Sequence, residues 1–252
     1  MHLHQPLARV PLRPGVNRLS TASRVPETVP LLQCCPLFCD LSAAECGGIV
    51  GHAHERHFVR RQIIFLAGDP IRQTLVLTSG NVKLTQAGLN GCEVILRLSG
   101  AGESIGAMGS YALGGQHCFS AQALENCTLL AWDASTFENL AERHPVLRRN
   151  MVRILENRLQ EMDARFREIS TEKVAPRLSS QILRLLRQVG KRNNGFIEIA
   201  LSREDLAQLT GTTLFTVSRL LCQWEVEGIV SARREAVIVH DVQALVQISQ
   251  QE

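Results

Sequence analysis

The chain has 252 residues, 45% of them hydrophobic and 20% charged, which is ordinary for a globular protein of one large domain or two small ones. No apolar run reaches the roughly 18 residues that span a bilayer, and the first thirty residues lack the apolar stretch of a secretory signal. The net charge of +3 gives no general attraction for nucleic acid: residues 1–30 hold Arg9, Arg13, Arg18 and Arg24 against Glu27, leaving 23 basic and 23 acidic groups in balance elsewhere.

That N-terminal stretch is rich in arginine, as transit peptides are, but its prolines at 6, 11, 14 and 26 and its weak periodicity favour a disordered arm. Eight cysteines without an export signal argue for a reducing compartment rather than a disulfide framework. Four of them, Cys34, Cys35, Cys39 and Cys46, crowd into one short stretch.

From Gln62 to Asp133 short β-rich runs alternate with glycine. "QIIFLAGDP" (Gln62–Pro70) is a run closed by a turn, and "TLVLTSGNVKLT" (Thr74–Thr85) reads as two strands joined in a hairpin at Ser79-Gly80-Asn81. "EVILRLSGAGESIG" (Glu93–Gly106) and "CTLLAWD" (Cys127–Asp133) continue the series, which predicts an antiparallel sandwich or barrel. After Pro145 the period changes. Val152, Leu155, Leu159, Met162, Phe166 and Ile169 keep two interleaved seven-residue repeats flanked by polar residues, the narrow seam of a self-associating helix rather than of a core helix. A second amphipathic helix over 174–190 buries Leu178, Ile182, Leu185, Leu186 and Val189, and a short strand, "FIEIALS" (Phe196–Ser202), follows.

The next segment carries the chemistry. Ser202 is a predicted N-cap with Glu204 and Asp205 in the first turn, opening a helix over Arg203–Leu209. A break at Thr210-Gly211-Thr212 leads into a second helix over Thr213–Val226. Val217, Leu220, Leu221 and Trp224 are its buried stripe, while Thr213, Leu214, Phe215, Ser218 and Arg219 form the presented face. "GIVSARREAVIVHD" (Gly228–Asp241) then reads as two strands around Arg233-Arg234-Glu235, a wing.

Strand-rich domain, seam helix, helix-turn-helix and wing, in this order, resemble the CRP/FNR superfamily of bacterial transcription regulators. The resemblance is carried by "PLFCDLSAAE" (Pro36–Glu45), "IIFLAGDP" (Ile63–Pro70), "LTSGNVKL" (Leu77–Leu84), "AQALENC" (Ala121–Cys127) and "LSREDLAQLTGTTLFTVSRLL" (Leu201–Leu221), and it covers the chain from about residue 31 onward. It implies an α+β fold: an N-terminal antiparallel β-roll or jelly roll like a cyclic-nucleotide-binding domain (31–144, after an arm over 1–30), a dimerisation helix (145–172) and a C-terminal winged helix-turn-helix (173–252). It also implies a cytoplasmic homodimer that reads a two-fold symmetric site on double-stranded DNA, with RNA polymerase as a partner. Arg219 resembles the family arginine that meets guanine O6 and N7, Ser218 a residue read against base edges, and Ser202 with the adjoining backbone a phosphate contact. Phe215 departs: the best-known branches carry a glutamate there that accepts from a cytosine amine. A phenyl ring can instead press on a thymine methyl, or stack inward and leave specificity to Thr213 and Ser218.

The family's cyclic-nucleotide branch uses a glutamate after the glycine of "IG" and an Arg-Ser pair on the cyclic phosphate. Here Gly106 is followed by Ala107, and His117-Cys118 stand near the second place, so cyclic AMP is disfavoured. The oxygen- and nitric-oxide-sensing branch carries an iron–sulfur cluster on cysteines, and Cys34, Cys35, Cys39 and Cys46 are the corresponding candidates, although their spacing departs from that branch and Leu130 falls near its fourth ligand. Cys39 and Cys46 read equally well as small buried residues, since Ser42 and Glu45 form a capping box that puts Cys46 on a helix. Cys92, Cys118, Cys127 and Cys222 read as packing residues. His52, His54 and His57 read first as solvated surface histidines, with metal or haem ligation as the alternative; on a helix His54 and His57 would share a face and His52 would not. An enzyme is disfavoured, because no phosphate loop, nucleophile elbow or zinc-binding helix motif is present. A nucleotide-binding module with an inactive helical tail is the remaining alternative.

Overall fold

The computed structural model describes residues 30–88, 93–106, 115–193 and 196–250, so the expected N-terminal arm lies almost wholly outside it. The described strands of the N-terminal domain form two four-stranded antiparallel sheets. One runs in the order β1 (His54–Phe58), β8 (Cys127–Asp133), β3 (Gln73–Ser79), β6 (Ser104–Ile105); the other is β2 (Ile63–Phe65), β7 (Ser120–Ala123), β4 (Val82–Ala87), β5 (Glu93–Ser99). Between the sheets lie Phe58, Leu75, Leu77, Leu84, Leu129 and Ala131. The outer side of the first sheet packs Val76, Leu130 and Trp132 against helices α1 (Ala43–Val50) and α2 (Ala134–Arg143). Both faces of β8 are therefore covered, which is why "TLLAW" is apolar at every second step and between them as well. Trp132 Nε1 donates to the Ile49 carbonyl at 2.8 Å and pins α1 to the sheet.

Two local expectations are corrected. Ser79-Gly80-Asn81 is not a hairpin: β3 and β4 belong to different sheets, and the chain crosses from one to the other there. Gly80 has φ +82, and a Cβ on it would sit 2.5 Å from the Asn126 carbonyl oxygen. The β7–β8 link makes the same crossing alongside, with the Leu124 N–H donating to the Asn81 carbonyl (2.9 Å) and Asn81 Nδ2 to Glu125 Oε1 (2.6 Å). A glycine turn encodes a reversal; the sheet that receives the next strand is decided by packing. The histidine run is likewise a strand, not a helix. In β1 the side chains alternate, so His54 and His57 lie on opposite faces, and His57 Nδ1 is 3.2 Å from Thr128 Oγ1.

The long helix α3 (Pro145–Thr171) has two working faces. Toward the sheet domain, Leu147 is buried, Asn150 Nδ2 donates to the Leu37 and Cys39 carbonyls (3.1 and 2.7 Å), and Arg158 donates to Ser104 O at 2.8 Å. Away from it point the six seam residues, each between 46% and 75% exposed. Packing of this seam against the protein's own sheet domain, the ordinary role of an apolar stripe, does not occur.

Beyond α3 a smaller module forms. Helices α4 (Val174–Gln188), α5 (Arg203–Thr210), α6 (Leu214–Val226) and α7 (Val242–Ser249) pack with a sheet of order β11 (Val230–Ala232), β12 (Val237–Val239), β10 (Phe196–Ile199), β9 (Lys191–Asn193). Its core holds Leu178, Ile182, Leu206, Val217, Leu221, Trp224 and Leu245, and Ile95 and Leu98 of β5 complete it from the sheet domain. Polar ties reinforce this contact. Lys83 Nζ meets Asp205 Oδ1 at 3.3 Å, and Arg60 and Arg61 each reach the Glu235 carboxylate at 2.6 Å.

Candidate nucleic-acid interface

The two helices of the motif are set by local chemistry. Ser202 caps α5: its hydroxyl accepts from the Asp205 N–H (3.1 Å), and Asp205 returns an acceptor to the Ser202 N–H (3.0 Å). Gly211 ends α5 in the left-handed region at φ +61, ψ +45, where a side chain would be strained. Thr213 caps α6, accepting from the Thr216 N–H at 3.2 Å. The seam helix is fastened to this turn. Buried Arg177 donates from Nε to the Thr210 carbonyl (2.8 Å) and from Nη1 to the Glu172 carbonyl (2.9 Å), satisfying one orphan carbonyl at the end of each helix. Ile169, last of the seam, lies against Gly211, where an added Cβ would be 3.5 Å from its Cδ1.

With Val217, Leu220, Leu221 and Trp224 turned into the core, α6 presents a clean outer stripe. Phe215 is 77% exposed and Leu214 50%; Arg219 and Cys222 follow along the same side, and Ser218 is half-buried beside them. Among the described residues no carboxylate or carbonyl holds the Arg219 guanidinium. The wing between β11 and β12 exposes Arg233 and Arg234, while its carboxylate, Glu235, is held below the usual carboxylate range by hydrogen bonding to Arg60 and by the charges of Arg60 and Arg61. Ser202 differs from the others. Its hydroxyl is taken up by Asp205, whose second oxygen pairs with Lys83, so a phosphate contact there competes with an existing network.

The second group of predicted residues lies in the sheet domain. Gly106 and His117 touch: a Cβ on Gly106 would be 3.1 Å from His117 Cε1. The His117 ring is buried, stacks on Phe65 with centroids 3.7 Å apart, and has a pKa lowered by burial, which keeps it neutral; its Nδ1 has no hydrogen-bond partner among the described residues. Cys118 is exposed, and Ala107 lies outside the described residues. Nearby, Arg97, Glu103 and Arg158 are half-buried between β5, β6 and α3. Burial lowers the Arg158 pKa to about 10 and raises that of Glu103, whose carboxylate Arg97 meets at 3.4 Å.

Cys34, Cys35, Cys39 and Cys46 are not brought together as a ligand set. Cys34 and Cys39 are exposed, whereas Cys35 and Cys46 are buried in the helical layer on the first sheet. Burial pushes the Cys35 thiol up to about 11 and raises that of Cys46, the reverse of what a metal-binding thiolate needs. Among the described residues no three His, Cys, Asp or Glu side chains converge on a common point, so the four cysteines as placed do not form the thiolate set of an iron–sulfur cluster. Cys127 is buried, as a packing residue should be, but Cys118 and Cys222 are exposed, against expectation; Cys92 lies outside the described residues. Arg177, Lys83 and the Arg60–Arg61–Glu235 cluster had no local signal, because each joins segments far apart in the chain.

A strand-built domain, a long connecting helix and a winged helix-turn-helix whose outer face is uncommitted define a DNA-binding transcription regulator. Residues 55–144 match the profile of the cyclic nucleotide-binding domain, and residues 176–248 that of the Crp-like helix-turn-helix domain. Over 215 residues the chain is 32% identical to the cyclic AMP receptor protein of Thermus thermophilus, covering 85% of this chain and 96% of that one. The chain belongs to the CRP/FNR superfamily. It is also 27% identical over 194 residues to the fumarate and nitrate reduction regulatory protein of Escherichia coli, across 75% of each. FixK2 from Bradyrhizobium japonicum, at 20% identity, shares the fold with a TM-score of 0.68 over 79% of this chain and 98% of its own. These relatives are regulators rather than enzymes. No helix among the described residues is long and apolar enough to cross a membrane.

Proposed function

We propose that the protein works as a homodimer joined along α3, setting one α6 into the major groove of each half of a two-fold symmetric DNA site, and that its sheet domain senses a signal other than cyclic AMP. The observation that carries this reading is the continuous apolar seam, Val152 to Ile169, open along a helix whose last turn touches the helix-turn-helix. A heptad seam of this kind is buried by a second copy of itself, and two-fold symmetry then places two recognition helices at matching half-sites.

Within each half-site Arg219 supplies the charged base contact to guanine, Ser218 an adjoining polar contact, and Thr213 holds the helix start. Arg233, Arg234 and the backbone near Ser202 contribute phosphate contacts. The effector region is the Gly106–His117–Cys118 surface, supported by the orphaned Nδ1 of His117. Cyclic AMP is disfavoured because a buried, neutral imidazole lacks the charge and paired donors that hold a cyclic phosphate. Such a regulator acts at promoters, with RNA polymerase as the other party, in the cytoplasm where the chromosome is. Sedimentation of the purified chain with and without a duplex, together with titration by cyclic AMP, tests the reading. A dimer that binds DNA and ignores cyclic AMP is expected; a monomer at micromolar concentration, or saturable cyclic AMP binding, overturns the corresponding part.

A further inference from the structure

Inward stacking and outward reading were both open to Phe215, and the structure separates them. The inward positions of α6 are filled by Val217, Leu220, Leu221 and Trp224, while Phe215 stands 77% exposed beside the half-exposed Leu214. Four residues on, and so on the same side of the helix about 6 Å further along its axis, is the unpaired Arg219. A phenyl ring offers no hydrogen bond to a base edge. The only apolar group that the major groove displays on an unmodified base is the 5-methyl of thymine.

We propose that Phe215 is a specificity-determining residue that packs its ring on the 5-methyl group of a thymine within about two base-pair steps of the guanine met by Arg219. The bound follows from the helical rise between the two residues, about 6 Å, against the roughly 3.4 Å separation of successive nucleotides, and is reached only where α6 runs along the DNA axis. Leu214, adjoining on the same end of the helix, walls the ring and excludes water from the contact. The half-site thereby exchanges a hydrogen-bonded cytosine for a methyl-bearing thymine. The proposal rests on α6 being the recognition helix.

The test begins by selecting bound sequences from a random duplex pool with the full-length chain and with its Phe215→Ala and Arg219→Ala variants. In the best duplex each thymine is then replaced by deoxyuridine, which removes the methyl and nothing else. One thymine position per half-site is expected to lose about fourfold in affinity, the worth of one buried carbon, and about fifteenfold when both half-sites are changed. Phe215→Ala is expected to bind the thymine and deoxyuridine duplexes alike while still demanding guanine opposite Arg219. Indifference of the native protein to every methyl, or unchanged methyl sensitivity in Phe215→Ala, overturns the assignment while leaving α6 as the reader. No enriched sequence from the native protein overturns the reading of α6 itself, and the assignment with it. A circular-dichroism melt of Phe215→Ala matching the native protein assigns its losses to the contact; a lower melt with lost guanine preference assigns Phe215 to the helix and sinks the proposal.

Discussion

Among the described residues, α3 and α6 each group several apolar side chains toward solvent, and they do it differently. On α3 six residues recur at steps of three and four over eighteen residues, with charges only on the flanks. On α6 Leu214 and Phe215 crowd the first turn, and an unpaired arginine follows one turn later. Exposure by itself does not name a partner. Regular spacing without charge fits another helix of the same kind, whereas a short apolar patch next to a free guanidinium fits a surface that offers methyl groups and hydrogen-bond acceptors together.

The largest effect is expected at the seam. Replacing Leu159 and Phe166 by glutamate should leave a folded monomer whose DNA binding falls roughly 100-fold or more, since the second half-site is no longer delivered together with the first; sedimentation and fluorescence anisotropy read both effects. Arg219→Ala should cost about 1–3 kcal/mol and relax one base position without altering the dimer, which sharpens the contrast between the two helices. A smaller change is expected from Lys83→Met. It removes a nearly buried partner of Asp205 and should lower the stability of the docked C-terminal module by on the order of 1 kcal/mol, seen in a denaturant titration.

The mildest effect concerns pH. Burial lowers the His117 pKa, so the folded protein binds its proton less readily than the unfolded chain does. That contribution to stability is complete above the ordinary histidine pKa of about 6.5 and is lost as pH falls through the lower folded value. His117→Gln should flatten the acid limb of the melting-temperature profile below that point, and an unchanged slope would remove His117 from the account.

What was legible in the sequence was written at short range. Ser202 with Asp205, Gly211 and Thr213 lie within twelve residues and specify the helix-turn-helix by capping alone; the seam is a periodicity that any helix preserves. The illegible parts depend on distant partners. Gly80 marks a turn whether the chain reverses within a sheet or crosses to another, and the choice is settled by Asn126 and Glu125, more than forty residues away. His54 and His57 look alike as ligands until β1 pairs with β8 and turns them apart. The cysteine group reads as a ligand set only while its members are counted; folding sends two into an apolar layer and leaves two outside.

Arg177 has a metrical consequence. One guanidinium holds the last carbonyls of the seam helix and of α5, so the end of α3 and the turn before α6 share a rigid pivot. From that pivot α6 extends for 13 residues, about 20 Å. A rotation of only about 3° at the pivot sweeps its far end by about 1 Å, and 10° by about one base-pair rise. A change of a few degrees in how α3 meets the turn would therefore be read at the far end of α6 as a displacement on the scale of a DNA step.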